Sequence, residues 1–363
     1  MVSMSTLLVT RNEDKSVTTS FEEGEFLGEG DLTVDVSYSS LNYKDAMAIA
    51  GDRGVMRTSP LVPGIDVVGT VSESSVERLP VGTLVASFGD GLGEFRHGGY
   101  TPKQRVNSQA TVALPADFTA EQAAAVGTAG YTAALCVNSL RGLPDGPVLV
   151  TGATGGVGSI AVNLLSNAGY EVHAMTGRPD DYSQYLHELG AHTIVDRAEF
   201  AEAGKPLQKA SYAGAVDTSG SHVLANVLAR TVWGGTVAST GMAAGPDLPT
   251  TVLPFILRNV HLAGVNSVDA PLHYRQNAWQ LLARKLDLSI LKSLTNTIPL
   301  SDVVEESKSL LEGTHHGRTV LKISEATPRQ SFAAPALLAG AFLYARFTSR
   351  ALAFRLLLLD YPA

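Results

Sequence analysis

The sequence predicts a two-domain α/β chain, a small β-barrel followed by a doubly wound parallel sheet. Three observations predict it. Val148-Leu149-Val150 runs into Thr151-Gly152-Ala153-Thr154-Gly155-Gly156-Val157-Gly158 and then into an apolar stretch from Ser159 to Leu165. That order reads as a buried strand, a tight loop and a helix start. From Val148 to Ser267 strand-like and helix-like runs alternate, which requires a parallel sheet covered by helices on both faces. Residues 1–125 instead carry short alternating runs separated by glycine and proline, the texture of a small barrel.

The elements follow in order. Leu32–Tyr38 alternates apolar and polar residues, as a half-buried strand does, and Val67–Val71 and Thr83–Ser87 are further short strands. Thr119-Ala120-Glu121-Gln122 has the spacing of a capping box, with helix over Ala123–Val126 and a second helix over Tyr131–Arg141. After the opening strand at Val148, strands are expected at Glu171–Thr176, Thr193–Val195, Ala213–Asp217, Gly235–Ser239 and His261–Val265. Helices are expected at Tyr182–Leu189, 221–230, Arg275–Leu286 and Asp302–Leu311. Six parallel strands fit a dinucleotide fold. Arg318–Ile323 closes the pattern as a strand returning to the first domain. In the tail, Ala336–Ala345 is apolar for only ten residues before Arg346. A spanning helix needs about 20, so a peripheral or packing helix is expected there.

The chain has 363 residues, enough for two buried cores. Charged residues are 17% and apolar residues 45%, a globular balance. A net charge of -8 argues against a nucleic-acid partner, because a polyanion needs a basic face. The single cysteine, Cys136, excludes an intramolecular disulfide and a cysteine-rich zinc lobe. It sits among Ala133, Ala134, Leu135 and Val137 and reads as a buried structural thiol. Met1–Thr6 shows no basic region followed by a long apolar run, so a cytoplasmic location is the default expectation.

Gly152, Gly155 and Gly158 lie three apart. Without a Cβ the loop turns sharply and lets a pyrophosphate approach, with Thr154, Gly155, Gly156, Val157 and Gly158 presenting N–H groups at the helix start. In such folds a carboxylate near the end of the second strand holds the ribose of NAD. Here that place reads Thr176-Gly177-Arg178. A guanidinium suits a 2′-phosphate and a carboxylate would repel it. NADPH is therefore the expected cofactor, with Arg197 as a second candidate for the phosphate.

These residues resemble a family. A barrel, a nucleotide fold and a returning strand resemble the medium-chain dehydrogenase/reductase superfamily. Ser40-Leu41-Asn42-Tyr43-Lys44-Asp45, Pro63-Gly64-Ile65-Asp66, Gly127–Ala133, Thr151–Gly158, Thr176-Gly177-Arg178 and Leu248–Arg258 resemble its acrylyl-CoA reductase branch, which also holds quinone oxidoreductases. The match spans about residues 5–323. It implies a GroES-like catalytic domain over 1–125, completed by 295–323, a Rossmann domain over 126–294 and an extension over 324–363. Zinc members of the superfamily carry Gly-His-Glu where this chain has Gly64-Ile65-Asp66, and isoleucine cannot ligate a metal, so no metal site is expected.

The resemblance implies NADPH-dependent reduction of the C=C bond of a short acyl-CoA such as acrylyl-CoA. The alternatives are a quinone or general enone reductase, and a non-catalytic NADPH-binding protein. It places Tyr43 and Asn42 at the chemistry and Tyr43 and Thr128 beside the nicotinamide. Met242, Ile256, Ser267 and Arg318 border the cofactor. Lys44, Arg53 and Arg57 are basic residues suited to a CoA phosphate. Asp66 is expected to fix its loop, His97 to be structural and the His315-His316 pair, next to a glycine and an arginine, to form a surface turn. A homodimer through edge strands near His261–Val265 is implied as well.

Overall fold

The computed structural model describes residues 5–140, 142–313 and 315–324. The expectations for Ala336–Ala345 and the rest of the tail lie outside them.

A hairpin of β1 (Thr6–Arg11) and β2 (Val17–Glu22) opens the chain. Next come β3 (Leu32–Leu41), helix α1 (Tyr43–Ile49), β4 (Asp66–Ser74), β5 (Leu84–Phe88), β6 (Lys103–Val106) and β7 (Thr111–Ala113). The returning strand β15 (Arg318–Lys322) pairs antiparallel with β3, as its sequence predicts. It also brings a strand that the alternation did not show, the parallel partner β14 (Thr295–Pro299). The hydrogen-bonded order is β14-β15-β3-β4-β5-β7, with β6 added on β3.

The alternation in Leu32–Tyr38 predicts one wet face, and the structure corrects this. Thr33, Ser37, Ser39 and Ser40 are all buried with their apolar neighbours. The reason is that β3 is central, flanked by β4, β6 and β15. Buried hydroxyls are tolerated here where they find internal partners: the Thr33 hydroxyl donates to Glu73 Oε2 at 3.0 Å and the Ser39 hydroxyl to the Asp66 carbonyl at 2.7 Å.

The capping box at Thr119 and Gln122 forms reciprocally, with bonds of 3.0 and 3.1 Å. The two helices expected after it are one element, α2 (Ala120–Ser139), broken only at Gly127. There φ is +50° and ψ −165°, outside helical space. The nucleotide domain then runs β8 (Val148–Val150), α3 (Gly156–Asn167), β9 (Val172–Thr176), α4 (Pro179–Glu188), β10 (Thr193–Asp196), α5 (Ala198–Ala201), β11 (Tyr212–Asp217), α6 (Ser221–Ala229), β12 (Thr231–Ser239), α7 (Leu253–Arg258) and β13 (His261–Gly264). All pairings in this sheet are parallel, in the order β10-β9-β8-β11-β12-β13, the doubly wound sheet expected. α8 (Leu272–Lys285), α9 (Leu288–Leu294) and α10 (Val303–Leu311) lead back to β15.

One apolar core joins both domains through α2. Phe88 of β5 lies 5.9 Å from Tyr131 of α2 and stacks on Trp279 of α8, which Phe118 meets edge-on at 5.2 Å. Burying a side chain of this size stabilises by about 3 kcal/mol. These shared aromatics tie the barrel to the nucleotide sheet. No described helix is long and apolar enough to cross a membrane.

Candidate active site

The glycine loop has the geometry of an anion cradle. Gly152 takes φ +58°, open to glycine without strain. A Cβ on Gly158 would stand 2.3 Å from the Gly152 carbonyl oxygen, so only glycine lets the helix start pack on the loop. Gly155 is the N-cap of α3, with no side chain capping it and no acid in the first turn. The first N–H groups of a twelve-residue helix are thus left for an anion.

The carboxyl end of β9 supplies the complementary charge. Thr176 is buried, and its carbonyl accepts from Arg197 N at 2.9 Å. The Arg197 guanidinium lies against Gly177, where a Cβ would meet it at 2.8 Å. The Arg178 guanidinium stands 4.6 Å from the centre of the Tyr182 ring. Both guanidiniums are exposed, and among the described residues neither pairs with a carboxylate. Thr176, Gly177, Arg178 and Arg197 thus form one cationic corner.

A second cluster lies where β3, β4, α2 and β15 converge. Asp66, buried at the start of β4, is its hub. Its carboxylate accepts from Asn42 Nδ2 at 2.9 Å, from Thr128 N at 3.1 Å and from Thr128 Oγ1 at 2.5 Å. The Ser40 hydroxyl also donates to it. Arg318, 4% exposed, faces this acid through bridging groups. Its guanidinium donates to the Ala125 carbonyl at 2.9 Å, to Ser40 Oγ at 3.0 Å and to Asn42 Oδ1 at 3.3 Å. Burial lowers the Arg318 pKa, and Asp66 and Asp45 oppose that.

Gly127 is what lets this cluster close. A Cβ there would stand 2.5 Å from Arg318 Nη2, 2.6 Å from Ser40 Oγ and 2.7 Å from Asp66 Oδ2. The break in α2 therefore has a cause: the helix gives way so that acid, hydroxyl and guanidinium can meet.

Asp45 was not singled out by sequence reasoning, and it holds the other side of Asn42. Its carboxylate accepts from Asn42 N at 2.9 Å, Asn42 Nδ2 at 3.1 Å, Ile65 N at 2.8 Å and Gly64 N at 3.2 Å. Complete burial, aided by the nearby Asp66 charge, pushes its carboxyl up to about 7 against the Ile65 and Asn42 donors. The signal was present: Asp45 lies three residues after Asn42, the capping-box spacing of a short helix. Tyr100 reinforces the cluster from below, its hydroxyl donating to the Ser40 carbonyl at 3.1 Å.

The two domains enclose a cleft of ≈ 360 Å³. Asn42, Tyr43, Gly155, Gly156, Val157, Ser267 and Arg318 all line it. Gly156 abuts Arg318, since a Cβ on it would lie 3.0 Å from Nη1, and Gly317 N donates to the Thr154 carbonyl at 3.4 Å. The glycine loop and the Asp66 cluster thus meet in one place. Tyr43, the first residue of α1, is 58% exposed at the mouth, and among the described residues its hydroxyl has no partner. His315 lines the cleft rather than forming a surface turn, with Nε2 2.8 Å from Thr319 Oγ1. His97 is structural as expected, its Nδ1 accepting from Val62 N at 3.1 Å.

Met242 and Ile256 do not line this cleft. They are 70% and 68% exposed, Met242 beyond the end of β12 and Ile256 on α7. A larger cavity of ≈ 520 Å³, between α2 and the start of α8, contains none of the predicted residues. At the Gly64-Ile65-Asp66 position, Ile65 is buried and Asp66 is engaged as above. Among the described residues no group of three or more His, Cys, Asp or Glu side chains is arranged to hold a metal ion. Cys136 is buried, and its thiol is pushed up to about 12 by desolvation.

Comparison with known proteins agrees with this architecture. The alcohol dehydrogenase GroES-like domain family matches residues 28–137, and the zinc-binding dehydrogenase family matches 156–284. "Acrylyl-CoA reductase AcuI" of Ruegeria pomeroyi is 45% identical, over 81% of this chain and 91% of its own length. The crystal structure of the yhdH oxidoreductase from Salmonella enterica in complex with NADP has a TM-score of 0.85 at 44% identity, covering 88% of this chain and all of that one. "Putative quinone oxidoreductase YhfP" of Bacillus subtilis is 37% identical over 86% of this chain and 96% of its own length, and its structure has NAD bound, with a TM-score of 0.82. The chain belongs to the medium-chain dehydrogenase/reductase superfamily, in the branch that holds the acrylyl-CoA reductases and the quinone oxidoreductases.

Proposed function

We propose that this protein reduces the C=C bond of a short α,β-unsaturated acyl-CoA, acrylyl-CoA to propanoyl-CoA, with NADPH. One observation carries the reading: an uncapped glycine-rich helix start and a buried Asp66–Asn42–Arg318 cluster line the same cleft as Tyr43. The relatives' activity on acrylyl-CoA and binding of NADP supply the substrate and the cofactor.

The chain fits NADPH. Thr154–Gly158 would take the pyrophosphate at the start of α3, and Arg178 and Arg197 the 2′-phosphate. YhfP, with NAD bound, is the contrary precedent; the unpaired guanidiniums beside Gly177 favour the phosphorylated cofactor here. Bound there, the nicotinamide supplies the hydride that adds to the β-carbon. Thr128 is its proposed neighbour and Ser267 borders the cofactor at the cleft wall, while Met242 and Ile256, outside the cleft, are proposed to border the cofactor farther along.

The rest belongs to side chains of this protein. As hydride reaches the β-carbon, negative charge moves to the thioester carbonyl oxygen. Arg318 sets a fixed positive charge at the cleft wall, where that charge is stabilised without reorganisation. The Tyr43 hydroxyl, free of internal partners, donates to the same oxygen or passes a proton to the α-carbon. Asn42 has both amide hydrogens committed to Asp66 and Asp45, so it acts by holding Arg318 and the start of α1, which carries Tyr43. The balance is one hydride and one proton added to the alkene for each NADPH oxidised. The catalytic domain is assigned to 1–125 with 295–323, the cofactor domain to 126–294 and an extension to 324–363.

The quinone reading is kept as second because of YhfP. Purified protein should give a kcat/KM for acrylyl-CoA at least about tenfold above that for any quinone, a difference of about 1.4 kcal/mol in transition-state binding. A quinone preference would reverse the order.

The dimer is proposed through β13. This strand forms one edge of the nucleotide sheet, and Leu262 on it is 37% exposed. Val252, Ile256 and Leu257, on the preceding segment, are 64%, 68% and 58% exposed. An open strand edge beside uncovered apolar side chains favours self-pairing. Sedimentation should give twice the chain mass, and Leu262→Glu should give monomer. A wild-type monomer at micromolar concentration would contradict this.

A further inference from the structure

Beside the mouth of the cleft lies a cluster that the proposed chemistry does not use. Arg57 N donates to the Glu94 carbonyl at 2.9 Å, so the two segments run together and Phe95 sits next to Arg57. Lys44, a cleft residue, reaches the same Glu94 through a 2.7 Å ion pair. The Phe95 ring is 53% exposed. Its outer edge rests on Gly91, where a Cβ would lie 2.2 Å from Cζ, so the ring is held while half of its surface faces water.

Arg53 and Arg57 are exposed, and among the described residues neither has a carboxylate partner. Arg57 Nε makes only a 3.5 Å contact with the Gly54 carbonyl. Asp52, the acid of the same turn, directs Oδ1 to Gly54 N at 2.7 Å. Two guanidiniums without a carboxylate partner on the turn after α1, bonded through Arg57 N to the segment that carries the open Phe95 ring, match a phosphorylated purine in a chain of net charge -8. Guanidiniums take phosphate oxygens in pairs, and the ring offers a stacking surface for the base.

The spacing is also suitable. Helix α1 separates Tyr43 from this turn by seven residues, about 10 Å of helix. In CoA, likewise, the pantetheine arm separates the thioester from the nucleotide. We propose that Arg53, Arg57 and Phe95 bind the phosphoadenosine diphosphate end of a CoA thioester whose acyl end lies at Tyr43. The proposal rests on the acyl-CoA reading above. NADPH carries the same phosphoadenosine chemistry, and its phosphate is assigned to Arg178 and Arg197.

The test compares the full-length chain with its Arg53→Glu/Arg57→Glu and Phe95→Ala variants, using acrylyl-CoA, acrylyl-pantetheine, NADPH and CoA itself. KM for acrylyl-CoA should rise about tenfold in each variant, with kcat kept. KM for acrylyl-pantetheine and for NADPH should not move. Wild-type KM for acrylyl-CoA should also rise with salt, as screening predicts. An unchanged KM for acrylyl-CoA in the variants overturns the proposal. So does an equal rise for acrylyl-pantetheine, or a rise for NADPH instead. Calorimetry with CoA separates this from the parent reading. Wild-type protein that binds CoA and loses that binding in the variants, yet does not reduce acrylyl-CoA, supports the docking site and overturns the reaction. Wild-type protein that binds no CoA overturns the docking site.

Discussion

Arg178 shows how much one side chain decides. At the end of β9 a carboxylate would favour a free ribose hydroxyl, and a guanidinium favours a phosphate on it. The structure adds what the sequence could only suggest about Arg197. Its guanidinium is laid against Gly177, so two cations face one small volume. A charge-assisted bond to phosphate is worth about 2 kcal/mol. Arg178→Ala should therefore raise KM for NADPH about thirtyfold and leave KM for NADH within about twofold. An equal change for both cofactors would remove Arg178 from phosphate recognition. This residue was legible because its position is fixed by counting from the glycine loop. Asp66 was legible only in part. Asp66 and its neighbours Asn42, Thr128 and Arg318 come from four separate stretches of chain, and no local spacing announces that they meet.

At the scale of elements, α1 is the instructive case. It has seven residues, too few for a visible apolar period, so the sequence did not announce it. Its cap, Asn42 with Asp45, makes it form and aims Tyr43 at the cleft. That cap carries a pH signature. The Asp45 carboxyl is raised to about 7 by burial and by Asp66, so the folded chain keeps its proton where the unfolded chain has lost it. Stability from this group is complete below about pH 4 and is lost as pH rises to about 7. Urea unfolding of wild-type against Asp45→Asn should show the wild-type advantage shrinking over that range and level above it. An advantage that is constant or grows with pH would contradict the assignment. The hairpin β1–β2 and strand β14 were missed for another reason. β2 and β14 are mostly exposed and show no apolar alternation, and β14 meets its partner β15 only after α10 has brought the chain back. Five strands of the nucleotide sheet, each punctuated by glycine or a polar turn, were legible to within a residue, whereas β12 begins at Thr231, four residues before the expected Gly235.

At the scale of the whole molecule, function depends on two domains closing on one cleft. The break in α2 at Gly127, the Gly156–Arg318 contact and the Phe88–Trp279 stack all serve that junction. None of them was legible as a contact, because each joins residues whose meeting only the fold can arrange. The central claim is that hydride passes directly from NADPH to the β-carbon of acrylyl-CoA in this cleft. The most direct measurement follows deuterium from NADPH labelled at the nicotinamide C4 into the product by NMR. The account predicts propanoyl-CoA with the label at C3 and a solvent proton at C2. Label at C2, label lost to water, or NADPH oxidised with no propanoyl-CoA formed would contradict it.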